Sequence, residues 1–523
     1  MGDVIEVATG LSTSDNNRFL RFWHEVSFQN IEYNGKIKES NRKWFPMAKG
    51  GLFRKWYGNN EYVINYGNDG KEIKDYAASL YKSYSRTIKN IKNYGREGMT
   101  WSALTTGSLS MRYMKNSIFG SGASCAFTNG DLLLLMALLN SKIVDYFMKY
   151  LNPTINVNVT ELCKIPVVDI DNDSRKKIDN LVAKNINLCK QEYDSYEISK
   201  DFASFNSGNE ISIKNYVDKE IIKTINSRDE LKINEETIND ILINAYDLCD
   251  TISKEIDDKY NSINMVDSSE LIKRLISYYI GLIMGRYSLS HEGLVYAGGM
   301  FDKTKYGNYV DEDGIVPIYQ YIGIEGGLAG EICKLVREIY GDVLYKDNIS
   351  FIAEALGRRS DESAEETINK YLNDSFYNDH LKMYQKRPIY WMLSSGKMGA
   401  FKCLIYLHRY NKDTLGLINS KYFLPRTAMY KAERERLEGR LASGQLDARE
   451  KKNVENELDK VIKCQEELLE YGQVLDHLAN QYIELDLDDG VKENYVKFQG
   501  VKLQVNGATI KKDLLVPFGL EKK

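Results

Sequence analysis

The chain has 523 residues, of which 43% are hydrophobic and 28% charged, and its net charge is −4. That is room for about three domains with buried cores, in a balance typical of globular protein rather than of disordered or collagen-like chains. The longest aliphatic run, Leu132 to Leu139, is far too short to span a bilayer, MGDVIEVATG has neither the basic nor the apolar stretch of a signal peptide, and the seven cysteines stand singly without a CxxC pair, which reads as free thiols in a reducing cytoplasm.

Charge is spread unevenly. Between Lys36 and Lys115 there are 16 Lys and Arg against 6 Asp and Glu, while the remainder carries 54 basic and 68 acidic residues. A basic block inside an acidic chain suits a polyanion-binding face. The competing reading is a solvated surface whose charges balance in three dimensions. The 37 tyrosines supply flat contact area and a hydroxyl, which serve nucleic-acid surfaces and cores alike.

In chain order, residues 1–170 read as one mixed α/β domain. Glu61 to Tyr66 alternates apolar and polar residues as a strand does, and Gly58-Asn59-Asn60 and Gly67-Asn68-Asp69-Gly70 are turn signals. Asp131 is placed to cap an apolar helix over 132–150, which Asn152-Pro153 ends. Residues 154–169 return to a β pattern, with Ile155, Val157 and Val159 alternating with polar residues. Residues 171–285 read as helical, polar spacer. A domain over 286–425 opens glycine-rich, turns helical from 331 to 385 with a capping box at Ser363-Ala364-Glu365-Glu366, and ends in the aromatic stretch KRPIYWMLSSGKMGAFKCLIYLHRY. In 426–485, Val454, Leu458, Val461, Gln465, Leu468, Gly472, Leu475, Ala479 and Tyr482 follow a 4,3 spacing. With a shorter helix over about 427–442 across Ser443-Gly444-Gln445, this predicts an antiparallel helical hairpin. A tail fills 486–523. The fold class is α+β: a mixed α/β N-terminal domain, then a mainly helical C-terminal region with that long hairpin.

Two local patterns mimic a methyltransferase site. Ile118-Phe119-Gly120-Ser121-Gly122 is an apolar-x-Gly-x-Gly turn of the kind that can cradle a nucleotide-like cofactor, but the acid in the expected place, Asp145, falls inside a helix rather than at a strand end. Asn152-Pro153-Thr154-Ile155 starts like the Asp/Asn-Pro-Pro-aromatic tetrad that holds a flipped base amine. Here the second proline and the aromatic are missing, and none of the seven prolines of the chain is adjacent to another. The five histidines form no metal-ligand pair, and neither a GxxxxGK[ST] loop nor a GxSxG elbow occurs. Catalytic, cofactor and metal residues are therefore not assigned.

The basic block carries better candidates. Phe53 to Tyr62 interleaves cations, aromatics and amides: Arg54, Lys55, Trp56, Tyr57, Asn59 and Asn60. Arginine and lysine suit phosphates and guanine edges, asparagine suits adenine edges. Arg18, Arg42, Lys43 and Lys49 lie upstream. Thr105, Thr106, Ser108 and Arg112 form a second polar strand, and Asn156 sits in the polar extended segment.

GLSTSDNNRFLRFW at 10–23, FRKWYGNNEYVINYGNDGKEIK at 53–74 and the stretch 98–168 resemble the target-recognition region of large bacterial N6-adenine DNA methyltransferases of the PglX type, from BREX phage-defence systems. MGRYSLSHEGLVYAGGMFD at 284–302, RPIYWMLSSGKMGAFKCLIYLHRY at 387–410 and LDLDDGVKENYVKFQGV at 485–501 resemble the C-terminal region of that family. Ser14 stands where the family pattern tends to have glycine. The resemblance implies double-stranded DNA as partner, and S-adenosylmethionine as cofactor of the complete enzyme. The family's glycine-rich cofactor loop and Asn-Pro-Pro-Tyr tetrad belong upstream of these motifs, so a separate methyltransferase half, together with other BREX components, is the expected partner. This chain would read the site without catalysing transfer. Two alternatives stay open: a specificity subunit like that of type I restriction systems, which would show two recognition repeats where one is found, and a decayed interaction module that no longer binds DNA.

Overall fold

The computed structural model describes residues 1–103, 108–151, 159–205, 212–320, 326–505 and 508–519. The chain divides into two compact units, one formed by Met1–Trp23, Phe28–Ala203 and Asp218–Asp267, the other by His24–Ser27, Ser204–Val217 and Ser268–Lys523.

The first unit is built on two four-stranded sheets. One has the order β1 (Glu6–Ala8), β8 (Cys125–Phe127), β5 (Gly98–Thr100), β6 (Arg112–Met114), with every neighbour antiparallel. The other has the order β2 (Leu20–Phe22), β4 (Tyr62–Asn65), β3 (Trp44–Ala48), β7 (Ile118–Phe119), where β7 joins β3 in parallel. The strand expected at 61–66 is β4, and it is buried on both faces rather than alternately. The turn after it places Asn68, Asp69 and Gly70 at positive φ before helix α1 (Gly67–Tyr81). Gly70 is the one that must be glycine, because a Cβ there would lie 2.4 Å from the Tyr66 ring. Ser14 has φ 58, so the position where the family pattern prefers glycine is a left-handed one.

The apolar run predicted as one helix is two, α2 (Leu132–Leu139) and α3 (Lys142–Leu151). The break is at Asn140, whose side chain forms a two-way bond with the Met111 backbone, accepting from N at 2.7 Å and donating to O at 3.1 Å. This side-chain pairing competes with helix continuation. Asp131 precedes α2 without capping it and pairs with Arg175 instead. Residues 154–158 lie outside the described residues, and Val159–Leu162 is a helical turn, not the expected strand. Helix α4 (Asn172–Asp194) and the part of α5 (Ile213–Ala245) from Asp218 onward pack on α2, with Ile178, Val182, Leu231, Ile238 and Leu242 in one core with Met136 and Leu139.

In the second unit the polar character expected up to Gly285 ends early: α6 (Ser268–Met284) is buried along nearly all its length. Around it lie α7 (Leu328–Ala355), α8 (Ala364–Asp374) and α9 (Phe376–Met383), and α8 starts with the predicted capping box. The aromatic stretch is a β-hairpin, β10 (Tyr390–Ser394) and β11 (Lys402–Tyr406), which β9 (Ile315–Pro317) extends to three strands. Beside it sits a core of three buried histidines. His24 Nε2 donates to the Arg387 carbonyl at 3.2 Å, His408 Nε2 to the Val26 carbonyl at 3.3 Å, and His380 Nε2 accepts from Tyr390 N at 3.2 Å. The fully buried Arg286 donates to the Tyr287 and Tyr406 hydroxyls, each at 3.1 Å.

The helical hairpin is present as α10 (Leu424–Ala442) and α11 (Ala448–Ala479). Its seam is not quite the predicted one: Val454, Val461, Leu468 and Leu475 are buried, but Cys464, Tyr471 and Leu478 take the places assigned to Gln465, Gly472 and Ala479. The more apolar or bulkier side chain one position earlier wins the interface: the thiol over the Gln465 amide, and Tyr471 and Leu478 over Gly472 and Ala479. A two-stranded sheet, β12 (Val501–Val505) and β13 (Ala508–Lys512), closes the described chain. The observed class is the expected α+β. All seven cysteines are free thiols, and no described helix is long and apolar enough to cross a membrane.

Candidate nucleic-acid interface

Three loops of the first unit meet at one end of its sheets. The loop from Lys49 to Asn60 leaves β3 through Gly50 and Gly51. Gly51 N donates to Ser102 Oγ at 3.0 Å, and that hydroxyl donates back to the Gly51 carbonyl at 3.1 Å. A Cβ on Gly50 would come within 2.6 Å of the Gly122 carbonyl, so this close approach needs glycine. Ala103 N donates to the same carbonyl at 3.1 Å, and Asn59 Nδ2 donates to the Leu52 carbonyl at 3.0 Å. The loops are thus cross-tied through the Ser102 hydroxyl and the Ala103–Gly122 backbone bond, and Leu52 stands 84% exposed between its pinned neighbours.

Within this loop the structure gives several candidate cations internal partners. Arg54 forms a two-point pair with Glu192, at 2.6 and 3.3 Å, and lies over the Tyr193 ring. Lys55 Nζ is 3.1 Å from Glu235, and Trp56 Nε1 donates to the other oxygen of that carboxylate at 2.6 Å. Trp56 also adds a short parallel bridge to β6, with N bonded to the Met111 carbonyl and its own carbonyl to Tyr113 N. Lys55 and Trp56 are 4% and 1% exposed, so this trio is interior. Asn59 is also buried. Tyr57 packs edge-on against Tyr193, and burial pushes its hydroxyl up to about 12.

Arg112 is 1% exposed, and none of its guanidinium nitrogens has a hydrogen-bond partner. Burial pulls its pKa down to about 10, opposed by Glu61, which burial in turn raises above the usual carboxylate range. The two are a buried, oppositely charged couple without direct contact.

The remaining candidates reach the surface. Asn60 is exposed while its backbone N bonds to Tyr193 Oη at 3.1 Å. Lys49 lies 4.5 Å over the Tyr62 ring, half-buried, with its pKa lowered by that burial. Arg42 is exposed and donates to the Ile31 carbonyl, Lys43 lies over Trp44, and Arg18 is exposed but paired with Glu72 at 2.9 Å. Ser108 is half-buried. Thr105, Thr106 and Asn156 lie outside the described residues. Lys49 and Asn60 therefore bound the loop that Ser102 ties at Gly51, whereas Arg18, Arg42 and Lys43 belong to β2, β3 and α1 surroundings instead.

Sequence reasoning did not single out the exposed cations that follow α1. Lys82, Arg86 and Lys89 are exposed, and among the described residues none has a carboxylate partner. The signal was there: between Asp75 and Glu97 the chain has five Lys and Arg and no acid.

The glycine turn at 120–122 does not fit S-adenosylmethionine. A Cβ on Gly120 would already meet Met47 Cε at 2.6 Å, and the backbone of the turn is bonded to Leu11 and Ala48. Asp145 lies in the first turn of α3. Among the described residues there is no group of three His, Cys, Asp or Glu that could hold a metal ion.

Comparison with known proteins places the chain among adenine-specific methyltransferase sequences, although no family model matches it. It is 34% identical over 521 residues to adenine-specific methyltransferase PglX of Lacticaseibacillus casei (strain Zhang), an alignment covering 95% of this chain and 42% of that protein. It is 38% identical over 541 residues to adenine-specific methyltransferase BrxX of Escherichia coli O9:H4 (strain HS), covering 96% of this chain and 43% of that protein. The chain is a partial member of the PglX family and spans about two-fifths of the length of these relatives.

Proposed function

We propose that this chain is the DNA-reading part of a PglX-type adenine methyltransferase and that its first unit holds the reading surface. The observation that carries the proposal is that the match to adenine-specific methyltransferases runs through nearly the whole chain, while the sequence has no Asp/Asn-Pro-Pro-aromatic tetrad. Transfer of methyl from S-adenosylmethionine to adenine N6 therefore falls to residues outside the chain.

The end where the loops at 49–60, 101–103 and 120–123 meet is suited to a groove. Its backbone is rigidly cross-tied, and it presents Lys49 and Asn60. Lysine can meet a phosphate or a guanine edge and asparagine an adenine edge. A separate methyltransferase half would supply the flipped-base pocket, and the resulting mark would let a BREX system tell self DNA from phage DNA.

The test is a gel-shift titration of the purified chain on duplex DNA in rising salt, with and without a methyltransferase half, beside a methyl-transfer assay. The chain alone should bind, weaken steeply with salt and transfer nothing. Transfer by the chain alone would refute the assignment, and so would absence of binding at every salt concentration.

A further inference from the structure

The run from Lys82 to Arg96 has more charge than its fold requires. Two of its five cations are held by one acid: Lys92 and Arg96 both pair with Glu6, at 2.7 and 3.0 Å. Lys82 sits at the C-terminal end of α1 with φ 66, where a cation also complements the carbonyls of the last turn. Nothing comparable accounts for Arg86, whose guanidinium lies 5.0 Å over Tyr81, or for Lys89.

These three cations are presented from fixed backbone. Lys82 N bonds to the Ala78 carbonyl at 2.9 Å, Thr87 N and Ile88 N to the Tyr84 carbonyl at 3.1 and 2.9 Å, and Tyr94 Oη to the Lys89 carbonyl at 3.0 Å. Ile88 anchors the segment, 2% exposed, in the core with Ile73 and Ala77. Tyr84 and Leu80 stand 42% and 50% exposed beside the cations. A solvated face has no need of such a scaffold, whereas a row of phosphates binds best to cations that are already in place.

The segment is also tied through the backbone to the loop end described above. Ser12 N bonds to the Thr87 carbonyl at 2.8 Å, Ser121 N to the Leu11 carbonyl at 2.8 Å, and the Gly122 carbonyl abuts Gly50.

We propose that Lys82, Arg86 and Lys89 form a phosphate track that grips the DNA backbone beside the bases read by the loop end. The track fixes register and affinity and carries no base preference. This assignment rests on the DNA-reading role proposed above.

The probe is the duplex that the full chain enriches most strongly from a random-sequence library, followed by fluorescence anisotropy at several salt concentrations. The combined variant K82Q/R86Q/K89Q should lower the slope of log affinity against log salt by about 2.7, at about 0.9 per phosphate contact. Between 50 and 200 mM salt the affinity lost by the variant should then be about 40-fold smaller than the loss of the parent chain. Library enrichment should give the same sequence, and K82R/R86K/K89R should restore the parent slope. An unchanged slope in a variant with the parent's melting curve makes the run a solvated face and overturns the track. A changed enriched sequence overturns it too, because the residues would then be reading bases. If the parent chain enriches and binds nothing, the DNA-reading role itself falls; if it binds and only the track variant is silent, that role stands alone.

Discussion

Glu467, on α11, offers the sharpest test of how the second unit is held together. The turn between β10 and β11 points Met398 N and Ala400 N at its carboxylate, at 2.7 and 3.1 Å, and Ser395 Oγ donates to it at 2.7 Å. Gly396 lets the turn come so close that a Cβ there would stand 2.6 Å from Glu467 Oε2. Replacing Glu467 with alanine leaves two backbone N–H groups without their acceptor, while the Ser395 hydroxyl keeps the Phe401 carbonyl at 3.2 Å. Each orphaned group costs about 1–3 kcal/mol when dry. The site is half-buried, so water recovers part of this, and about 3 kcal/mol in total is the expected loss. Glu467→Gln keeps one acceptor oxygen and should lose about half as much. The assay is urea unfolding followed by tryptophan fluorescence, because Trp391 is fully buried in β10 and is the single tryptophan of the second unit. In a thermal scan the alanine variant should melt about 6–12 °C lower. A loss below about 0.5 kcal/mol in Glu467→Ala, the scale of an ordinary surface change, would show that the carboxylate does not hold the turn.

Acid should weaken the same unit. Burial, reinforced by Arg286, pulls His380 and His408 down to about 3, and burial lowers His24 well below its ordinary value. The unfolded chain takes up those protons near pH 6.5 and the folded one does not, so stability is complete above that pH and falls as pH drops toward 3. Between pH 6.5 and 5.5, before carboxylates titrate, each histidine should cost about 1 kcal/mol. His408→Gln should reduce the pH dependence of the urea midpoint by about a third, and an unchanged dependence would refute the account. Ser14→Gly should stabilise the first unit by up to about 1 kcal/mol by relieving a left-handed serine, read as a rise in urea midpoint. Lys55→Ala should cost about 3–5 kcal/mol, since it strands the buried Glu235, and a variant as stable as the parent would mean that the pair is not interior.

The parts of the fold legible in the sequence are those set by local chemistry. The Ser363 capping box, the β4 strand and the helical hairpin all depend on residues a few positions apart. The misreadings have long-range causes. Asn140 breaks an otherwise good helix because the Met111 backbone, 29 residues earlier, offers both of its hydrogen-bonding groups. The hairpin seam keeps Val454, Val461, Leu468 and Leu475 but takes Cys464, Tyr471 and Leu478 in place of Gln465, Gly472 and Ala479, an equally regular 3,4 pattern. The candidate interface shows the same division. Composition located the basic block, yet it could not tell that Arg54 and Lys55 meet Glu192 and Glu235, 138 and 180 residues further on, while Lys82, Arg86 and Lys89 have no carboxylate partner among the described residues.

The Glu235 bond has a consequence for how the first unit can pass between relatives. Residues 1–203 contain every strand of the first unit, but the carboxylate that receives Lys55 and Trp56 comes from 218–267. A recombination that transplanted only the N-terminal stretch into a relative would import Lys55 and Trp56 and depend on the recipient for their acid. Inheritance of the first unit therefore has to be bipartite, with both segments passing together or with a compatible glutamate already waiting in the host gene.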